Sequence, residues 1–549
     1  MTTNIQTTFA TIPTYTSEQV REALRNKQEI ALIDPREEDV FAKGHPLFAA
    51  NFPISSIETD AYTRIPRLQT LLVIYDNGEG LAEKAAKIFE HIGYSQVHLL
   101  SGGLKGWKKS GGIIFEDVNS PSKAFGELVE SKRETPMLSP NEVKQLIDSK
   151  SDYVILDARR FDEYHTMNIP GSYSVPGAEL VLIARELAPN PHTKIIVNCA
   201  GRTRSIIGTQ SLINAGLPNQ IAALRNGTIG WTLDGQTLEH GADRLPPEAE
   251  EKNKNKAATD SWNVAAKAGV KKIDFQTLKT FTKDQTRTTY LFDVRTEEEY
   301  RKGHLPHFLP RPGGQLVQET DHSAPVRGAR IVLADDLTYN VRANMTASWL
   351  QQMGWEAYVL SGKNHFNSQE KGLAPLHLPS LPIIPSASYI KADKLAKWLG
   401  ENNTVVIDFS KNSAFSKTRI PGAWYILRSQ IKESIANLPN KKRYVLTSEE
   451  GLRAIFAYPE IVTLLKNNVY LLAGGNQAWS IENRPLEGIE VKGNYASTPT
   501  DRYKRPYEGT DHNTEAMEKY LQWEYGLVKQ LEADSTHGFW VLEATNPSQ

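Results

Sequence analysis

Four times along this chain a short apolar strand ends in an aspartate, with an aromatic residue at a fixed distance behind it. The segments are EIALIDPREEDVF at 29–41, YVILDARRFDEYH at 153–165, TYLFDVRTEEEYR at 289–301 and VVIDFSKNSAF at 405–415. The anchors Asp34, Asp157, Asp293 and Asp408 are followed seven residues later by Phe41, Tyr164, Tyr300 and Phe415. Pro46, Pro170, Pro306 and Pro421 stand twelve or thirteen residues after the same anchors. A second signature closes each segment: LLSGGLKGW at 99–107, ALRNGTIGW at 223–231, VLSGKNHF at 359–366 and LLAGGNQAW at 471–479. The anchors lie 123, 136 and 115 residues apart, and the closing aromatics Trp107, Trp231, Phe366 and Trp479 lie 124, 135 and 113 apart. Two independent markers share one unequal spacing, which identifies tandem copies of a single folding unit. Length alone, 549 residues at ~150 per domain, allows three to four; the repeat makes it four.

Within a copy, strands alternate with helices. Unit 2 reads as helix 140–149, strand YVILD, a loop through IPGS, helix 178–187, strand KIIVN, helix 205–216 and strand 220–226. Continuous Ile/Val/Leu strands separated by helices predict a doubly wound parallel α/β sheet with helices on both faces. The expected domains are 14–112, 136–240, 270–372 and 384–486, with a helical tail over 487–549 whose main helix spans 513–534. Residues 113–135, 247–260 and the Pro-rich 374–385 read as linkers, the second as a flexible surface connection.

Lys plus Arg number 63 and Asp plus Glu 64, so the chain has no bulk charge with which to seek nucleic acid or an anionic membrane. The start has neither a basic region nor an apolar run, and no apolar stretch reaches the ~18 residues of a membrane span. A soluble cytoplasmic protein is expected. One cysteine in the whole chain excludes an internal disulfide and any multi-cysteine metal site, and neither a metal nor a cofactor is expected.

That cysteine, Cys199, stands in KIIVNCAGRTRSIIGTQSL, at the junction of a strand and a helix. In an open parallel sheet this is the edge where active sites form. A tight loop entering a helix turns backbone N–H groups toward its concave side, favours an anion and should lower the thiol pKa. Gly201 permits close approach, and Arg202 and Arg204 add positive charge beside the nucleophile. At the equivalent offset unit 1 has Asp76, unit 3 has Asp335, and unit 4 offers Ser448, Glu449 or Glu450. A carboxylate there would fill an anion site and repel an anionic substrate, so units 1, 3 and 4 are expected to be inactive. His165, His45 and His304 recur in comparable places and are expected to be hydrogen-bonding residues. The repeated tryptophans are expected to pack.

The CAGRTRS loop, the D-x-R strand end, the IPG turn and the GG-x3-W closing motif together resemble rhodaneses, the persulfide-forming sulfurtransferases. The resemblance spans all four units, to about residue 480, and is sharpest in the second. It implies a thiosulfate sulfurtransferase that works by double displacement. Cys199 takes the outer sulfur of thiosulfate or a related donor and passes it to cyanide, a thiol or a protein cysteine. Amides of Ala200, Gly201, Arg202, Thr203, Arg204 and Ser205 would stabilise the sulfur anion, with Arg202 and Arg204 on the donor's oxyanion end. Arg159 matches a substrate-contacting position of the family. An ion pair with Asp157 or Glu163 accounts for it equally well, and Arg36 and Arg295 repeat it in thiol-free units. Three alternatives stay open: a mercaptopyruvate or small-persulfide donor, a sulfur-carrying or sensing scaffold, and a phosphatase-type relative. The last would have a loop one residue longer than the six from Cys199 to Arg204.

Overall fold

The computed structural model describes residues 12–362, 370–465, 468–511 and 513–543. In unit 2, Ser139 and Glu142 form a reciprocal capping box, with Pro140 in the first turn, and start the helix Pro140–Asp148. The strand Tyr153–Asp157 follows, its last four residues buried because both faces of the sheet are covered. The parallel strands are ordered Met137–Leu138, Ile221–Leu224, Lys194–Asn198, Tyr153–Asp157 and Tyr173–Ser174. Units 1 and 3 repeat this order strand for strand. Unit 4 does too, and gains a sixth strand, Asn494–Tyr495, from the segment assigned to the tail. Among the described residues there are thus four parallel sheets of one topology, helices lying on both faces. Strand order reverses direction beside Lys194–Asn198, so this strand's C-terminal end opens at the switch point of sheet 2.

The repeated markers have physical reasons. The indole N–H groups of Trp107, Trp231 and Trp479 donate to the carbonyls six residues on, Ile113, Thr237 and Pro485, at 2.8–3.0 Å. Each tryptophan so closes its unit while filling the core. Phe366, the fourth closing aromatic, lies outside the described residues. His45 and His304 stack on Phe41 and Tyr300 and bond backbone carbonyls; His165 stacks on Phe161 and bonds the Ala242 carbonyl.

Three connections differ from expectation. Residues 113–135 hold the helix Ser120–Arg133, with Ser120 through Glu127 all buried between units. Residues 247–260, expected to be flexible, begin the helix Glu251–Lys267. Its Ala257, Ser261, Val264 and Ala265 make an apolar stripe facing units 2 and 3, and Asn344 bonds Ser261 at 3.1 Å. The stripe starts only where the charged run EAEEKNKNK ends, so composition averaged over the segment hides it. The tail helix is two helices, Thr514–Tyr525 and Leu527–Asp534, parted at Gly526. Units 1 and 3 share one continuous apolar cluster, which also takes in Ile206 of unit 2. Unit 4 keeps its own core and meets unit 1 through polar contacts, including Arg428–Glu58 at 2.7 Å and Lys84–Glu460 at 2.6 Å. No helix among the described residues is long and apolar enough to cross a membrane.

Candidate active site

Cys199 follows the strand Lys194–Asn198 directly, and the helix Thr203–Asn214 begins four residues later. Thr203, Arg204 and Ser205 are therefore first-turn residues, two positions earlier than the sequence pattern places the helix. The loop is held from below by the closing motif. Thr228 and Ile229 donate their N–H groups to the carbonyls of Cys199 and Ala200 at 2.9 and 3.0 Å. Gly227 makes that approach with φ +55°, and a Cβ there would lie 2.2 Å from the Cys199 carbonyl oxygen. Gly103 stands against Asp76 and Gly475 against Ser448 in the same way, which selects Ser448 from the three candidates in unit 4.

In units 1, 3 and 4 the residue at the strand end meets an N–H at the start of the next helix. Asp76 accepts from Ala82 at 3.0 Å, Asp335 from Ala343 at 3.1 Å and the Ser448 hydroxyl from Ala454 at 3.4 Å. The Cys199 thiol meets the corresponding helix start through its side chain, donating to the Ser205 hydroxyl at 3.4 Å. In units 1 and 3 a carboxylate thus occupies the position the helix terminus offers to an anion.

The arginines have settled partners. Arg204 holds Glu163 with two parallel hydrogen bonds of 2.7 and 2.9 Å and faces Cys199 electrostatically. Burial opposes ionisation of Glu163, but the charge and hydrogen bonds of Arg204 prevail and hold its carboxyl down at about 2. Arg202, expected on the donor's oxyanion end, has a carboxylate partner of its own. It turns to Glu127 on the helix Ser120–Arg133, at 2.7 and 2.8 Å, and lies 4.6 Å from the centre of the Tyr525 ring. A buried guanidinium needs a carboxylate, and the neighbouring helix supplies one. Arg159 forks onto Asp157 and also donates to the Met167 carbonyl at 2.6 Å. Arg36 and Arg295 make the same pair of bonds, to Gly44 and Gly303, so this arginine's geometry is a property of the repeat. Glu163, one of its two expected partners, belongs to Arg204 instead.

The expectation of a lowered thiol pKa is also revised. Cys199 is only 2% exposed, and this burial pushes its pKa up against the pull of Arg204 and Ser205. The cover comes from the tail. Tyr520 and Glu524 press on Gly201, where a Cβ would lie 3.2 and 3.3 Å from them. Tyr507 packs on Tyr520 and lines a cleft of about 410 Å³ in which Arg160, Arg204, Arg502 and Arg505 are paired with Asp162, Glu163 and Glu508; Cys199 does not line it. The tail's share in the site was missed from sequence because its residues lie some three hundred positions away. Glu163 had a signal in the repeat: Glu299 takes the same place in unit 3 and holds Arg342.

A parallel α/β unit, repeated, with one copy ending its central strand in a thiol beneath a helix N-terminus, defines a class that comparison with known proteins names. The model of the rhodanese-like domain matches residues 16–110, 139–234 and 391–482, and the chain belongs to that family. Unit 3, outside those matches, shares the sheet order of the others. A crystal structure of a thiosulfate sulfurtransferase from Pseudomonas aeruginosa is 54% identical, with a TM-score of 0.94; the match covers 97% of this chain and 100% of that one. The Bacillus subtilis (strain 168) protein YrkF is 26% identical over 137 residues, 24% of this chain and 72% of its own length. The uncharacterised Escherichia coli (strain K12) protein YibN is 30% identical over 85 residues, 15% of this chain and 59% of its own length.

Proposed function

We propose that the protein is a thiosulfate sulfurtransferase with one working site, in which Cys199 carries the transferred sulfur as a persulfide. The observation that carries this reading is the position of the chain's one thiol, at the end of the strand Lys194–Asn198 and against Ser205 in the first turn of the helix Thr203–Asn214. The similarity to the Pseudomonas aeruginosa thiosulfate sulfurtransferase over nearly the whole chain supports it. The Cys199 thiolate attacks the outer sulfur of thiosulfate, the S–S bond breaks and sulfite leaves with the electron pair. The acceptor then attacks the outer sulfur of the persulfide and regenerates the thiolate. Each step is an ordinary displacement at sulfur, easier than direct transfer between two anions. Burial disfavours the free thiolate, so the Ser205 N–H and Arg204 do most for the charge once the site is closed to water. In this reading Arg204 and the amides of residues 200–205 receive the donor's oxyanion end. Arg202 serves instead to lock the loop to the helix Ser120–Arg133. The acceptor is a thiol, cyanide or a protein cysteine.

The test is thiocyanate formation from thiosulfate and cyanide by the full-length protein and by Cys199→Ser. Turnover by the parent that vanishes in the variant supports the reading. Equal rates in the two, or hydrolysis of a phosphate ester in place of sulfur transfer, would overturn it.

A further inference from the structure

The tail brings to the Cys199 loop a carboxyl group that the two displacements leave unused. Glu524, on the helix Thr514–Tyr525, is fully buried, and its Oε2 stands 3.3 Å from where a Gly201 Cβ would be. Oε1 accepts a hydrogen bond from the Tyr520 hydroxyl at 2.9 Å. Oε2 has no hydrogen-bond partner among the described residues. An unpartnered oxygen of this kind, deep in a protein, costs stability and calls for a use.

The charged and titratable groups around Glu524 come from each element packed on it. Lys123 and Glu127 face it from the helix Ser120–Arg133, Arg202 and Cys199 from the loop, and Tyr520 from its own helix. Both cations are paired elsewhere, Lys123 with Asp117 at 2.7 Å and Arg202 with Glu127 at 2.7 Å. Burial, seconded by the charge of Glu127, pushes the Glu524 carboxyl up to about 8. The carboxyl is therefore protonated at neutral pH yet able to ionise, the condition that suits proton exchange with a thiol.

Resting on the sulfurtransferase reading and deepening it, we propose that Glu524 relays the proton of an acceptor thiol at the Cys199 site. The Glu524 carboxyl gives its proton to the outer sulfur of the Cys199 persulfide and becomes a carboxylate. The carboxylate takes the proton of the incoming thiol, which is thereby made a thiolate. The thiolate attacks the outer sulfur, a new S–S bond forms, and the bond to Cys199 Sγ breaks with its electron pair left on Sγ. The acceptor departs as a protonated persulfide, Cys199 returns as the thiolate and Glu524 is again protonated. Sulfite has no part in this relay, because much of it is already an unprotonated dianion at neutral pH and it leaves as the thiosulfate dianion.

The test compares the full-length protein with Glu524→Gln, which keeps an oxygen for the Tyr520 hydroxyl but cannot exchange the proton. Each is treated with thiosulfate, freed of donor, and offered dithiothreitol or sulfite. The ratio of thiol transfer to sulfite transfer falls roughly a hundredfold in Glu524→Gln at neutral pH. Raising the pH to ionise dithiothreitol restores the ratio, and Glu524→Asp keeps part of it. A ratio that is the same in parent and Glu524→Gln overturns the relay, whether both rates drop together or neither does. If the parent takes up no sulfur at Cys199, the sulfurtransferase reading itself falls, a result plainly different from an unchanged ratio.

Discussion

Units 2 and 3 build the same fork and end it differently. In unit 3, Arg342 holds Glu299 through its two terminal nitrogens and Asp335 through Nε at 2.9 Å, and Asp335 also takes the Ala343 N–H. In unit 2, Arg204 holds Glu163 in the same way, but the strand ends in a thiol. Unit 3 satisfies its arginine and its helix terminus with a carboxylate of its own chain. Unit 2 leaves both facing a group that becomes an anion only by ionising or by taking up sulfur. The fork is shared, and the strand-end side chain separates a loop satisfied by its own carboxylate from one that holds a free thiol.

That comparison is broken most severely by moving the thiol. In a Cys199→Ser background, sulfur transfer is expected to fall roughly a thousandfold or more, as when a covalent nucleophile is removed. Asp335→Cys in that background is expected to take up sulfur from thiosulfate about tenfold faster than Asp76→Cys. Unit 3 supplies Arg342, whereas the unit 1 loop DNGEGL has no arginine. Equal uptake at the two grafted thiols, followed by mass spectrometry, would remove the arginine from the account.

Breaking the forks comes next. Arg204→Ala leaves Glu163 without its partner and is expected to cost about 3 kcal/mol together with most of the turnover. Arg342→Ala is expected to cost a similar amount while turnover persists. Denaturant unfolding beside the cyanide assay distinguishes the two. Smaller still, Gly227→Ala and Gly103→Ala should each cost roughly 1–3 kcal/mol, since each pushes a Cβ into a backbone carbonyl at positive φ. Only Gly227→Ala should impair sulfur transfer, because only its carbonyl partner belongs to Cys199.

The gentlest probe is pH. Glu163, depressed to about 2, contributes stability that is present above its unfolded value near 4.5 and is lost as pH falls toward 2. Glu524, raised to about 8, works in the opposite sense: its contribution is present below 4.5 and is lost as pH rises through 8. Glu524→Gln is therefore expected to raise Tm relative to the parent more at pH 8 than at pH 4.5. A difference that is the same at both pH values would contradict a buried, protonated Glu524.

The sheets were legible because repetition supplied four readings of one pattern. A buried strand ending in Asp157 could be checked against Asp34, Asp293 and Asp408. The loop was legible for the same reason, since Cys199 stands out against Asp76 and Asp335 at an equal offset. What occurs once was harder to read. The helix Glu251–Lys267 hides its apolar stripe behind a charged run, and Ser120–Arg133 is buried by neighbours that lie far away in sequence. Arg202 carried no local sign that Glu127 would claim it. Tyr520 and Glu524 reach the site only through packing of a tail that has no counterpart in the repeat. Periodicity reports which face of an element is buried, and not what buries it.

The central claim is that Cys199 is the sulfur carrier and that the other three loops are not. It is tested most directly by intact-mass measurement of the full-length protein after treatment with thiosulfate, followed by peptide mapping. A gain of one sulfur atom, lying on the peptide that contains Cys199, reversed by cyanide and absent from Cys199→Ser, is the result expected. A protein that gains no sulfur, or that gains it equally in Cys199→Ser, would contradict the account.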